Sequence, residues 1–334
     1  MLRDPFFLLF DVIEQIRFSF SILLYFRPMK TVKDPGLGSA FRKPVSRLMN
    51  GDGTYNIVRK GGLSGINDFY KFLVEIHWFW FVLILVGGYF VINLIFAFIY
   101  YFIGLEQISG ADQNALSDFK DAFFFSSQTF TTVGYGALAP KGLAASYVSM
   151  IESFLGLSSF AIATGLLWGR FSRPVLKIAF SDKIIVTPFE GTTAVMFKMV
   201  NMRNNVLLNS KVKCLFIIDK GTGEHSFNKE YAELKMETDE VKFFPLTWTL
   251  VHKIDSDSPF YGMSLNDLNE RHAEVIILVE TFDETYSQVI LHKHSYGAGQ
   301  FMENVRFDRN FEANEKGQVV LDVKAINKVI PLDS

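Results

Sequence analysis

The segment Thr132-Val133-Gly134-Tyr135-Gly136 contains residue types that could bind a dehydrated cation. A cation that enters a narrow passage loses its water, and oxygen atoms must replace that shell. The carbonyls of the first four residues and the Thr132 hydroxyl could supply these oxygens, while the two glycines permit backbone angles that other residues resist. One chain supplies only part of a closed oxygen ring, so the segment predicts an oligomer around a central axis.

This order of residues resembles the selectivity filter of potassium channels, where four chains each supply a quarter of every oxygen ring. The resemblance implies that K+ is the metal ion bound, and that it binds only at this filter. Tyr135 agrees with this interpretation, because Asp at that position would indicate a poorly selective cation channel. We expect the Tyr135 ring to point away from the pore and to pack against aromatic residues of a preceding helix.

Two apolar stretches flank this segment and are long enough to cross a membrane. Residues 78–102 are uncharged over 25 positions, which at about 1.5 Å per residue gives roughly 37 Å. Residues 143–168 form the second stretch, in which Glu152 is the only charge. Lipid offers the backbone no hydrogen-bond partners, so both stretches are predicted to be helices.

Residues 118–130, between the two spans, are apolar, rich in Phe and typical of a helix. Together with the glycine-spaced segment they predict a re-entrant pore helix and loop, because irregular backbone is tolerated at that depth only within protein or beside water. We expect this helix to end near Gln128, with its partly negative end toward the cation. Glu152 should face protein, be hydrogen-bonded or protonated, and support the loop from behind.

The chain changes to a period-two pattern after Pro174. Turn signals separate the apolar runs, and little helix is indicated, so this region predicts a β-sandwich. The predicted strands are residues 183–186, 193–197, 212–217, 247–250 and 274–279, with turns at 220–223 and 257–259.

Two segments precede the first span. Residues 66–76 have helical apolar spacing, which predicts a short amphipathic helix along the inner membrane surface or, alternatively, a soluble helix packed on the β domain. Residues 18–26 are apolar but too short to span, and we interpret them as an interfacial or partner-contacting helix.

The predicted domains are an N-terminal extension without an assigned role (1–35), a cytoplasmic segment with the interfacial helix (36–76), a transmembrane pore domain (77–172) and a cytoplasmic β-sandwich (173–334).

Charges set the orientation and exclude several functions. Arg170, Arg173 and Lys177 follow the second span, whereas the loop between the spans is mainly acidic, so both termini are predicted in the cytoplasm and the protein in the plasma (inner) membrane. A net charge of -2 gives no general field for nucleic acid. Cys214 is the single cysteine, and without a catalytic triad, metal cluster or phosphate loop neither enzyme activity nor a cofactor is predicted.

Several segments resemble the inward rectifier potassium channels, especially their prokaryotic members. They are GDGTYNIVRKGG (51–62), GRFSRPVLKIAFSDKIIVTPFEG (169–191) and VHKIDSDSPFYGMSLNDL (251–268). The resemblance implies a homotetramer whose α-helical membrane pore domain has two transmembrane helices plus a re-entrant pore helix. An all-β immunoglobulin-like cytoplasmic sandwich would follow and extend the pore. The resemblance also implies a gate at the inner helix crossing, biased by anionic lipid and cytoplasmic ligands.

Phe160, Thr164 and Trp168 are four residues apart on one helical stripe, which by resemblance faces the cavity. Phe160 replaces an acidic or amide residue of strongly rectifying members, so Mg2+ and polyamines should block only weakly. Trp168 falls where bacterial members of the family have a large apolar gate residue, so it could form the gate. The alternative is that Trp168 anchors the helix at the interface and faces lipid. Gly156 and Gly165 are candidate hinges, although close helix packing explains either equally well.

Further positions differ from the family pattern. Many relatives have Glu where this chain has Gln128, paired with a basic residue where Leu138 stands, so that ion pair is missing and other contacts must stabilise the filter. Glu284 falls near a family position that lines the cytoplasmic pore and attracts polyamines. The alternative is that Glu284 is a solvated charge in a loop. The second such position is the neutral Asn209.

The inner interface holds four candidate contacts for anionic lipid, with simple topology anchoring as the alternative. A cation near an anionic surface contributes about 1 kcal/mol. The candidates are Arg170, Arg173, Lys177 and Trp78.

Two other functions compete with the inward rectifier interpretation: a two-span potassium channel with a different ligand-gated cytoplasmic domain, and a non-channel membrane protein with a β domain.

Overall fold

The computed structural model describes residues 30–43, 45–61, 66–111, 115–173, 176–220 and 227–332, excepting the side chains of residues 66–67, 115–118 and 227. These residues belong to two compact units, one helical (Lys60–Pro174) and one built mainly of strands (Met1–Arg59 with Val175–Ser334). The helix predicted at residues 18–26 and most of the turn predicted at 220–223 lie outside the described residues.

The described residues of the helical unit form four α-helices: α1 (Ile66–Glu75), α2 (Trp78–Ile103), α3 (Ala115–Phe130) and α4 (Leu143–Phe171). Among the described residues, α2 and α4 are the two helices that are long and apolar enough to cross a membrane. They confirm the two predicted spans. Helix α3 occupies the place of the predicted pore helix but extends to Phe130, beyond the expected end near Gln128.

Local chemistry explains where α2 begins and ends. The His77 Nδ1 atom accepts a hydrogen bond from the Phe79 N–H at 3.2 Å, which satisfies one of the free donors of the first turn. Gly104 follows the last turn with φ = 101°, an angle that glycine adopts without steric cost. The helix between these residues contains no proline that would interrupt its hydrogen bonds.

The core of the helical unit forms where α3 packs against α2. Phe96 and Tyr100 of α2 are buried in one cluster with Ala122 and Phe125 of α3. The Tyr100 and Phe125 rings meet edge-on with centroids 4.8 Å apart, a favoured aromatic geometry. This packing fixes the direction of α3, whose C-terminal end leads directly into residues 132–136.

Seventeen strands are found in the described residues. In chain order they are β1 (Ala40–Phe41), β2 (Ile108–Ser109), β3 (Ala139–Pro140), β4 (Ile178–Phe180), β5 (Ile184–Phe189), β6 (Thr192–Asn201), β7 (Leu207–Asp219), β8 (Phe227–Leu234), β9 (Glu240–Phe243), β10 (Thr247–Ile254), β11 (Glu274–Asp283), β12 (Gln288–Gly297), β13 (Phe301–Glu303), β14 (Val305–Phe307), β15 (Phe311–Ala313), β16 (Val319–Leu321) and β17 (Val329–Pro331). A short helix, α5 (Leu265–Glu270), precedes β11.

Most of these strands form two sheets. The first has the order β1-β8-β7-β11-β12, with β9 also paired to β7, and the second has the order β10-β6-β5-β13, with β4 paired to β6. Short pairs are formed by β14 with β17 and by β15 with β16, while β2 pairs with β3 in the helical unit. The five strands predicted from the sequence are confirmed as β5, β6, β7, β10 and β11, and each is longer than predicted.

Side chains from both sheets share one core, which confirms the β-sandwich. Phe197 and Leu250 of the second sheet are fully buried in one cluster with Phe216 and Ile277 of the first. Cys214 lies in the same core, where burial raises the pKa of its thiol and makes the thiolate unfavourable. This placement agrees with a packing role for the single cysteine.

A buried carboxylate attaches the N-terminal segment to the first sheet. Glu274, at the start of β11, accepts hydrogen bonds from the Leu48 and Met49 N–H groups at 2.7 and 2.9 Å and from the Ser295 hydroxyl at 2.6 Å. The Arg47 guanidinium donates to the Ser295 main-chain oxygen. These contacts satisfy a carboxylate that would otherwise be costly to bury, and they make residues 47–49 part of the β unit.

Candidate functional site

Residues 132–136 follow the end of α3, and every second residue of this segment has a positive φ angle. Thr132, Gly134 and Gly136 have φ values of 57°, 53° and 83°. An added Cβ would find open space at both glycines, so glycine is needed there for its backbone angle and not for room. Thr132 adopts the same region without that freedom, a strain of about 1–3 kcal/mol that clusters at functional sites.

The main-chain N–H groups of residues 132–134 donate hydrogen bonds to the last turn of α3, whereas the carbonyls of residues 132–135 accept none within the described residues. The Gln128 carbonyl accepts hydrogen bonds from the Val133 N–H at 3.0 Å and the Gly134 N–H at 3.3 Å, and the Thr132 N–H donates to Thr129 O at 3.0 Å. Within the described residues, no hydrogen bond uses the carbonyls of residues 132–135. Four consecutive oxygens therefore remain available to a cation.

Gln128 also holds the far end of the segment. Its side-chain Nε2 donates to the Leu138 carbonyl at 2.8 Å, so one buried residue contacts the chain on both sides of residues 132–136. The sequence predicted that the ion pair between positions 128 and 138 is missing and that other contacts must stabilise the filter. The structure identifies one such contact, an amide-to-carbonyl hydrogen bond in place of two charges.

A buried polar cluster joins the three helices behind the segment. Glu152 of α4 accepts hydrogen bonds from the Tyr100 hydroxyl of α2 at 2.7 Å and the Ser126 hydroxyl of α3 at 2.5 Å. The Ser126 hydroxyl also lies 3.1 Å from the Asn93 carbonyl, and Asn93 is itself fully buried. The hydrogen-bonded, protein-facing position expected for Glu152 is confirmed, and its contacts link α3 to both apolar helices.

The predicted cavity stripe is exposed along α4 in the single chain. Phe160 and Trp168 are 73% and 74% exposed, and Thr164 between them donates its hydroxyl to the Phe160 carbonyl at 2.8 Å. Their spacing of four residues places all three on one helix face. Cavity lining and a gate at Trp168 stay predictions.

The two candidate hinge glycines have different surroundings. A Cβ at Gly156 would clash with the main-chain oxygen of Phe130, so this glycine permits close contact between α4 and the end of α3. A Cβ at Gly165 would meet nothing within 4 Å. Packing therefore explains Gly156, while bending at either position stays a prediction.

Arg170, proposed as a lipid contact, makes close contacts within its own chain. Its two Nη atoms donate to the carbonyls of Leu73 and Ile76, each at 2.6 Å, at the C-terminal end of α1. The guanidinium also lies 4.6 Å from the Trp78 ring centroid and 4.5 Å from that of Phe81. Arg170 therefore satisfies carbonyls that a helix end leaves free, and it joins α1 to α4.

The other lipid and polyamine candidates have simpler surroundings. Arg173 pairs with Glu75 at 3.1 Å through side chains that are about half exposed, and Lys177 is exposed. In the β unit, Glu284 is exposed in the turn between β11 and β12, and Asn209 is exposed with φ = 47°. The lipid and polyamine roles of these residues stay predictions.

The fold and the site define a membrane protein of the two-span ion-channel class. A family model described as "Ion channel" matches residues 88–172, and one described as "Inward rectifier potassium channel C-terminal domain" matches residues 178–334. The chain is 30% identical over 296 residues to the inward rectifier potassium channel Kirbac3.1 of Paramagnetospirillum magnetotacticum, covering 88% of this chain and 98% of that protein. The chain belongs to the inward rectifier potassium channel family, and it is a transmembrane ion-transport protein, not an enzyme.

Among solved structures, the Pseudomonas fluorescens alkylpurine DNA glycosylase AlkC bound to DNA containing an abasic site analog matches 56% of this chain and 48% of its own. That match has 9% identity and a TM-score of 0.17, which is too low to indicate a shared fold.

Replacing Gln128 tests whether its side chain stabilises the filter. The carboxylate introduced by Gln128→Glu has no N–H to donate to the Leu138 carbonyl, so two acceptors would face each other. We expect potassium-driven flux through reconstituted channels to fall about tenfold, equivalent to about 1.4 kcal/mol. Adding Leu138→Arg should restore flux by supplying a cation, and wild-type flux in both Gln128→Glu and Gln128→Leu would contradict the assignment.

Replacing Arg170 or Arg173 by alanine tests which of the two arginines stabilises the contact between α1 and α4. Arg170→Ala removes two partly buried, charge-assisted hydrogen bonds to main-chain carbonyls and should cost about 2 kcal/mol, seen as a lower thermal denaturation midpoint of the purified channel. Arg173→Ala removes only an exposed pair and should change the midpoint little. Equal midpoints for the two variants would show that the Arg170 contacts do not stabilise the protein.

Proposed function

We propose that four copies of this chain form a homotetrameric channel that conducts K+ selectively across the membrane. The observation that carries the proposal is the open row of carbonyls at residues 132–135, while the N–H groups of residues 132–134 are bonded to the last turn of α3 and Gln128 contacts Leu138 beyond the row. Four such rows around an axis would form stacked oxygen rings that replace the hydration shell of K+. Thr132 would add its hydroxyl at the inner end, Gly136 would allow the chain to turn away, and no cofactor besides the permeant ion is needed.

An exposed filter tyrosine supports assembly into an oligomer. Tyr135 is 84% exposed in the single chain, and the described residues of its own chain provide no aromatic ring within contact. The aromatic packing expected from the sequence is therefore not made within one chain. A neighbouring subunit would cover this ring, because a closed tetramer brings the filter segment of one chain against the pore helix of the next.

The proposed gate lies at the cytoplasmic end of α4. Four copies of Trp168 around the axis would present apolar rings that close the pore by removing water, and Phe160 and Thr164 would line the cavity above them. An apolar Phe160 ring attracts neither Mg2+ nor polyamines, so rectification should be weak. Glu284 is the proposed site for mild polyamine attraction in the cytoplasmic pore.

The proposed setting is the plasma (inner) membrane, with both termini in the cytoplasm. Basic residues after α4 and acidic residues between α2 and α4 support this orientation. Anionic lipid is the proposed membrane partner, with Lys177 and Trp78 as its contacts together with Arg170 and Arg173. The proposed divisions remain an extension (1–35), a cytoplasmic segment with the interfacial helix (36–76), the pore domain (77–172) and the cytoplasmic sandwich (173–334).

Radioactive rubidium uptake into proteoliposomes tests conduction directly. The purified chain, reconstituted in vesicles containing anionic lipid and loaded with K+, should take up Rb+ in a manner that Ba2+ blocks and spermine changes little. Uptake should collapse when Na+ replaces the internal K+, because the filter oxygens fit the larger ion. Uptake insensitive to Ba2+, or equal with Na+, would reject the proposal.

Trp168→Ala tests the gate in the same vesicles. Removing four indole rings should widen and wet the inner mouth, so basal uptake should rise severalfold while Ba2+ block is retained. Ile162→Ala serves as a control, since Ile162 is exposed on α4 but lies on a different helix face from the stripe. Unchanged basal uptake in Trp168→Ala, or an equal rise in the control, would favour a lipid-facing anchor.

A further inference from the structure

A cavity of about 470 Å³ lies in the β unit, between the second sheet and the C-terminal segment that follows β13. Thr187, Lys198 and Thr249 line it from β5, β6 and β10, and Arg306, Phe307 and Arg309 line it from the C-terminal segment. Its volume is within the range of small-molecule sites. None of these residues takes part in the proposed conduction path.

Lys198 is a buried cation at this cavity. Its side chain is on the opposite face of β6 from the sandwich core, because Phe197 and Met199 on either side of it point into that core. The residue is only 5% exposed, and its Nζ donates to the Asp308 main-chain oxygen at 2.6 Å. An ammonium has three donors, and this contact uses one of them. Burial lowers the pKa of Lys198, and Asp308 opposes that shift.

Arg306 and Arg309 lie on either side of Asp308 in the chain, and the Asp308 main-chain oxygen accepts the hydrogen bond from Lys198. Arg306 and Arg309 are both exposed, and within the described residues neither lies within salt-bridge distance of a carboxylate. The Asp308 carboxylate between them is paired with Lys328 at 2.6 Å, and that contact lowers the pKa of Asp308. The carboxylate at the cavity is thus paired with Lys328, while the three lining cations have no carboxylate within salt-bridge distance in the described part of the chain.

Apolar surface completes the cavity. Pro188, Met196 and Phe311 line it beside Phe307, so a bound molecule would meet both cations and an apolar wall. Arginine recognises phosphate through paired N–H donors, and threonine hydroxyls add further donors. An inorganic ion would leave the apolar wall unused, and an apolar molecule would leave three cations unpaired.

We propose that this cavity binds a small organic phosphate monoester, with the phosphate between Lys198, Arg306 and Arg309 and its apolar part against Phe307 and Phe311. The proposal does not depend on potassium conduction. It assigns a ligand to the cytoplasmic sandwich at a position distinct from the filter, the cavity stripe and Glu284.

Isothermal titration of the purified full-length channel with phenyl phosphate tests the proposal. We expect one molecule bound per chain, with inorganic phosphate at least about tenfold weaker and phenol showing no saturable heat. The double variant Arg306→Ala with Arg309→Ala should weaken phenyl phosphate binding by about a hundredfold, because both exposed cations are removed.

Arg203→Ala is the matched control, since Arg203 belongs to the same unit and does not line the cavity. It should bind phenyl phosphate as the wild type does. Lys198→Met should also weaken binding, and its thermal midpoint without ligand separates that effect from misfolding. No phenyl phosphate binding at millimolar concentration, wild-type affinity in the double variant, equal loss in Arg203→Ala, or inorganic phosphate binding as tightly would each overturn the proposal.

Discussion

Carbonyl oxygens that serve a cation must be kept free of hydrogen bonds while the chain that carries them is held still. The structure meets this constraint by pairing the N–H side of residues 132–134 with the last turn of α3. Gln128 contributes its main chain before the segment and its side chain after it, at Leu138. The geometry of residues 132–136 therefore depends on the position of α3, and α3 depends on its contacts with α2 and α4.

Those contacts combine close packing with polar groups in a region where lipid supplies no hydrophobic driving force between helices. Gly156 lets α4 approach the end of α3, and Glu152 joins all three helices through Tyr100 and Ser126. Arg170 performs a related task at the other end of α4, where it holds the free carbonyls of α1. Glu152 and Arg170 thus hold the helices of this unit in position.

The sequence was sufficient for both spans, the helix between them and five strands, because each depends on local spacing or length. The filter role of residues 132–136 stays a prediction. It was insufficient for the partners of Gln128 and Arg170, because both donate to main-chain carbonyls, which no residue type identifies. For Arg170 a signal was available: the last turn of α1 has no basic residue of its own. Strands β8 and β12 were missed because charged and polar residues interrupt their apolar alternation, and the burial of Glu274 follows from contacts with Leu48, more than 200 positions away.

We propose that cations bind on a fourfold axis between the carbonyls of residues 132–135 of four chains. Anomalous diffraction from crystals of the channel grown with Rb+ measures this directly. The account predicts a row of anomalous peaks on a fourfold axis, enclosed by the oxygens of Thr132, Val133, Gly134 and Tyr135 from four chains. An assembly without that axis, or a filter whose peaks lie away from these oxygens, would contradict it.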